Sequence, residues 1–76
     1  MDIVYTILSY CQQPRLITYL IYQVNMSYSS FKEYEEYMFN KGWLSTVPFG
    51  DRNADFITPK GAEVLEILRM AIETLA

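Results

Sequence analysis

The apolar residues of this chain change period twice, and that constrains its fold more than any other feature. From Ile3 to Met38 they recur at helical spacing. Between Gly42 and Thr58 the pattern becomes short, aromatic and β-branched, around Trp43-Leu44-Ser45-Thr46-Val47 and Asp55-Phe56-Ile57-Thr58. After Thr58-Pro59 the helical period returns and runs to the end through Val64, Leu65, Leu68, Ala71, Ile72 and Leu75. The expected order is three helices, a hairpin and a long helix. The chain has 76 residues, 51% of them hydrophobic and only 3 of them proline. That composition describes a folded domain and not a disordered tail. Two domains of half this length would each lack a core, so residues 1–76 are read as one domain.

Punctuation supports the same boundaries. In the first helix Ile3, Val4, Ile7, Leu8 and Cys11 form one face, and Asp2 places a carboxylate at the positive end of the helix dipole. Gln12-Gln13-Pro14 breaks the pattern, because proline disfavours helical geometry in the residue before it. Proline also suits a first helical turn, so the second helix is expected from about Pro14 to Val24, opened by Arg15. Ser27 is a candidate N-cap for a third helix ending near Asn40. Its buried candidates are Phe31, Tyr34, Met38 and Tyr37. Its wet side carries Ser29, Ser30, Lys32, Glu33 and Glu36, with Lys32 and Glu36 spaced to pair. Lys41-Gly42 ends it with a cation and a residue that adopts the left-handed cap. Pro48 to Asn53 reads as a long turn at the hairpin tip. Thr58 and Pro59 then supply a cap and first position for the last helix, 59–76.

Several chemistries are set aside by residue type. The chain has one cysteine, Cys11, and no histidine. An internal disulfide, a zinc site of cysteine and histidine, and a histidine-based triad are excluded. Cys11 lies on the apolar side of its helix and reads as a small core residue. There is no glycine-rich phosphate loop, and Asp51 and Asp55 fit no calcium loop. No catalytic residue, metal or cofactor is expected, and the chain is not read as an enzyme. No apolar run approaches the roughly 20 residues that span a bilayer, and Met1-Asp2-Ile3-Val4 has no basic n-region. The expectation is a soluble cytoplasmic protein.

Specific residues carry a resemblance. Met26-Ser27-Tyr28, Phe31-Lys32, Tyr34, Met38 and Lys41-Gly42-Trp43-Leu44 resemble a family of small archaeal winged helix-turn-helix proteins. Thr58-Pro59-Lys60-Gly61 is similar to that family's junction between the second wing strand and the final helix, and Ile3-Val4-Tyr5 to its first helix. The resemblance covers nearly the whole chain. It implies a mainly α fold with a two-stranded wing, an archaeal or archaeal-virus source, and binding of duplex DNA by a transcriptional regulator. The third helix would enter the major groove and the wing would touch the backbone. The positions that follow are Ser29, Ser30, Lys32, Glu33 and Glu36 toward the groove and Tyr28 near a phosphate. Arg52 and Asn53 would lie at the wing tip, with Arg15 on the backbone at the start of the second helix.

Charge and aromatic content frame an alternative. Related sequences usually carry lysine or glutamine at Ser29 and Ser30 and leucine at Glu35. The net charge is −3, and Glu33, Glu35 and Glu36 crowd the helix meant for the groove, where carboxylates repel phosphates. Seven tyrosines, four phenylalanines and one tryptophan exceed what so small a core encloses. Some of Tyr5, Tyr10, Tyr19, Tyr22, Tyr28 and Tyr37 are therefore expected at the surface, where tyrosine suits protein contacts. In the last helix Leu65, Leu68, Ile72 and Leu75 follow the 3-4-3 spacing of a helix pair, and are the expected homodimer seam. The alternative to a DNA-binding regulator is an acidic module that contacts protein and leaves DNA alone.

Overall fold

The computed structural model describes residues 2–75, with the Asp2 side chain left aside, so the dipole role expected of that carboxylate lies outside the described residues. Three helices, α1 (Asp2–Tyr10), α2 (Ile17–Val24) and α3 (Tyr28–Asn40), lead into an antiparallel hairpin, β1 (Leu44–Phe49) and β2 (Arg52–Ile57). The helix α4 (Pro59–Leu75) follows. The expected order holds throughout.

The boundaries have local causes. Asn25 turns the chain after α2 in the left-handed conformation, φ 56°, and its N–H donates to the Ile21 carbonyl. Ser27 then caps α3, its hydroxyl accepting from the Ser30 N–H at 3.2 Å. Gly42, at φ 77°, turns the chain from α3 into β1. Thr58 both caps α4 and ties it to that turn. Its hydroxyl accepts from the Gly61 N–H at 2.9 Å and donates to the Gly42 carbonyl at 2.5 Å.

Two expectations about boundaries are corrected. The second helix begins at Ile17, not Pro14, and its N-cap Leu16 makes no side-chain cap bond. Arg15 instead pairs as a short extended segment with Asp55, exchanging Arg15 N–H to Asp55 carbonyl at 2.9 Å and Asp55 N–H to Arg15 carbonyl at 2.8 Å. β2 is thus flanked on both edges. The satisfaction of backbone groups across the sheet outweighs the preference of Pro14 for a first helical turn. The hairpin tip is also tighter than expected. Phe49 lies opposite Arg52, and only Gly50 and Asp51 connect them. Gly50 has positive φ and Asp51 does not, the φ signs of a type II′ turn, whose twist matches its strands.

The core joins all the elements. Ile7, Leu8 and Cys11 from α1 meet Leu20 from α2 and Phe31 and Met38 from α3. Leu44, Ile57 and Leu65 close it from the hairpin and α4. α4 lies close because Gly61 has no side chain: a Cβ there would overlap the Trp43 carbonyl oxygen and stand 2.9 Å from Ile57 Cγ1. Among the described residues no helix is long and apolar enough to cross a membrane.

Candidate nucleic-acid interface

The third helix is anchored from behind by Phe31, Glu35 and Met38, all buried. Spacing of i, i+4 and i+7 puts these three on one stripe. Tyr34, expected inside, and Tyr37, expected either inside or at the surface, are both exposed; Tyr34 lies at the border of that stripe and Tyr37 about a third of a turn from its centre. A carboxylate occupies the position an aliphatic side chain would fill. Glu35 was missed as a buried residue because its charge argued against it, although its place between Phe31 and Met38 carries the signal.

The opposite stripe, Ser29, Glu33, Glu36 and Asn40, is exposed, with Ser30 and Tyr37 beside it. Asn40 completes this outer face and was not among the expected site residues. Tyr28 lies exposed at the helix start, its ring 6.0 Å from Lys32 Nζ. Lys32 does not join the outer stripe as expected. It lies on the flank, where Nζ donates to Glu35 Oε1 at 2.7 Å, and that hydrogen bond raises its pKa. The Lys32–Glu36 pair expected from the spacing does not form among the ion pairs of the described residues, since buried Glu35 takes the cation instead.

The other basic positions are distributed unevenly. Arg52 and Asn53 are exposed near the wing tip. Arg15 is half-buried. Its Nε donates to the Tyr10 carbonyl at 3.0 Å and its guanidinium stacks 4.7 Å from the Tyr19 ring centroid. It therefore does not stand at the first turn of α2. Lys41 lies 5.4 Å from the Tyr37 ring, and Arg69 pairs with Glu66 and Glu73 along α4. Arg52 is the wing's basic residue and is exposed.

Behind the Lys32–Glu35 pair sits a second buried carboxyl. Asp55 is 5% exposed and Glu35 3%. Glu35 is the carboxyl that acts on Asp55, and the buried Asp55 Oδ2 has no hydrogen-bond partner. Burial first, then the hydrogen bond and negative charge of Glu35, push Asp55 up to about 8, and Lys32 opposes them. The thiol of Cys11 is pushed up to about 12, mainly by burial and then by Asp55, so it is a poor nucleophile. Among the described residues no group of three metal-ligating side chains could hold an ion.

On α4 the expected dimer seam divides. Leu65 is buried in the domain's own core, and Leu68 packs against it. Ile72 is half-buried and Leu75 is 85% exposed. The exposed apolar flank consists of Ile67, Ala71 and Leu75, with Met70 alongside. Glu66, Arg69 and Glu73 occupy the other flank. The period repeats on both sides of the helix, so spacing alone picked the face that the domain itself covers.

Neither a curated protein nor a solved structure matches this chain. Residues 1–76 do match a family described as winged helix-turn-helix. The capped α2–turn–α3 unit, the hairpin and the closing helix agree with that match, and the chain belongs to the winged helix-turn-helix family.

Proposed function

We propose that this chain is a small DNA-binding transcriptional regulator acting as a homodimer in the cytoplasm of an archaeon, or of an archaeal host if its source is a virus. The observation that carries this reading is the outer stripe of α3. Ser29, Glu33, Glu36 and Asn40 are polar, exposed and free of packing duty, on a helix held rigidly by Phe31 and Met38. A hydroxyl, a carboxylate and an amide all read base edges, the carboxylate accepting from cytosine N4. Tyr28, Ser30 and the flank residue Lys32 border that stripe, and Arg52 and Asn53 reach the backbone from the wing. Arg15 serves as a support for β2 more than as a phosphate contact.

Few phosphates would be neutralised by one copy, so a single domain binds weakly. Joining two copies raises the effective concentration of the second half-site. The flank of Ile67, Ala71 and Leu75 supplies the contact, with Leu68 and Ile72 at its inner border.

A second reading is favoured by particular observations. Glu33 and Glu36 face outward, the net charge is −3, and Tyr22 is 81% exposed. This is the surface of an acidic module that contacts a basic or aromatic-binding protein partner. Anisotropy of a mixed-sequence duplex, titrated at two salt concentrations, separates the readings. Binding that weakens steeply with salt supports the regulator. No binding at low salt removes it and leaves the protein partner.

A further inference from the structure

The junction between α3 and β2 encloses two carboxyls in a place that holds one negative charge comfortably and two badly. Glu35 comes from the buried stripe of α3 and Asp55 from the middle of β2, and both are more than nine-tenths buried. The backbone of Asp55 is held in place, paired on one edge with Thr46 and on the other with Arg15. The charged and titratable groups around the pair come from three elements. Lys32 of α3 donates to Glu35. Arg15 faces β2 from the segment before α2, but its Nε is directed at the Tyr10 carbonyl. Cys11, at the end of α1, holds its proton beside Asp55. Tyr28 stands on the far side of Lys32, its ring 6.0 Å from Nζ. One cation at hydrogen-bonding distance matches one anion.

Two buried carboxylates this close repel, and neither has a proton to offer the other. The orphaned Asp55 Oδ2 marks where that proton is needed. We infer that Glu35 and Asp55 share a single proton which clamps α3 to the wing strand, and that losing it loosens the wing from α3. Loss leaves two negative charges beside Lys32, and their repulsion acts between α3 and the hairpin, which α3 meets through β1. The inference rests on the junction itself and stands whether the outer face of α3 meets DNA or protein.

The sign follows from which state binds the proton more tightly. The folded chain keeps it up to about pH 8, whereas an unfolded aspartate releases it near its ordinary value of about 3.9. The stabilisation is thus complete in acid and declines as pH rises through that window. Carbon-13 titration of the side-chain carboxyls of the intact chain tests the clamp. One carboxyl, that of Asp55, is expected to titrate near pH 8, and the amides of Ala54, Phe56 and Glu35 should shift with the same midpoint. Relaxation measurements above it should find greater motion in β2. Titration of Asp55 in the ordinary carboxylate range, or unchanged β2 motion across the midpoint, overturns the inference. Asp55→Asn supplies a permanent amide donor to Glu35. Its melting temperature should lose most of the fall that the wild type shows between pH 5 and 9; an unchanged fall counts against the clamp. Should that variant fail to fold, the wild-type titration decides alone.

Discussion

The helices α3 and α4 resemble each other on the inside and differ on the outside. α3 turns Phe31 and Met38 into the core, and α4 turns Gly61 and Leu65 against the hairpin and α1. Outward, α3 shows Ser29, Glu33, Glu36 and Asn40, whereas α4 shows Ile67, Met70 and Leu75. A polar outer face is at ease in water. An apolar flank on a chain this small loses free energy until something covers it. The difference supports the proposed division of labour, in which α3 would recognise a polar partner and α4 would self-associate. It also teaches that amphipathic period locates one dry face and is silent about the chemistry of the other.

The comparison breaks first at the inner faces. Phe31→Ala should cost about 3–5 kcal/mol, which is most of the stability of a domain this size. Glu33→Ala, two residues along on the outer stripe, should stay within about 0.5 kcal/mol. Urea denaturation of both variants measures the contrast, and equal losses would mean that α3 is rotated from the orientation described. On α4 the matching change is Gly61→Ala. Its methyl group meets a backbone carbonyl that cannot move aside, so a loss of about 3 kcal/mol is expected.

Thr58→Ala comes next. It removes both the α4 cap and the bond to the Gly42 carbonyl, and should lower stability by about 1–2 kcal/mol. Thermal unfolding would register that as a fall of roughly 4–16 °C. Ile67→Ser sharpens the outer-face half of the comparison. Monomer stability should change by less than about 0.5 kcal/mol, while light scattering at tens of micromolar should move from dimer mass to monomer mass. A wild type already monomeric at that concentration ends the self-association reading.

The legible parts of this fold are those set by local chemistry. Ser27, Gly42 and Thr58 each do at their own position what their residue type favours, and the period changes beside them gave the correct order of elements. Three features were hidden, each for a non-local reason. Pro14-Arg15 looks like a helix start until Asp55 offers a backbone partner forty residues later. Glu35 looks like a wet residue until Lys32 is seen to pair with it and Asp55 to share its burial. Leu65 and Leu68 look like a seam between copies until α1 and the hairpin cover them. The candidate site was legible in part: Ser29, Glu33 and Glu36 lie together on one face, but Lys32 and Arg15 are engaged by the fold, and Asn40 was overlooked.

The smallest effect on stability bears most directly on function. Arg52 is exposed in the wing, and nothing in the core depends on it. Arg52→Ala should therefore leave the unfolding midpoint unchanged within about 0.5 kcal/mol. If the wing meets a phosphate, removing that cation releases one fewer counterion. The slope of log affinity against log salt should then flatten by about one, with the loss uniform across duplex sequences. Glu33→Gln should behave in the opposite manner, changing preference among sequences while the slope changes less, because a base-reading acceptor selects and does not neutralise. Should both variants shift the salt slope alike, Glu33 acts only by repelling phosphates. The outer stripe of α3 would then be a barrier to DNA, and the acidic face would belong to a protein partner.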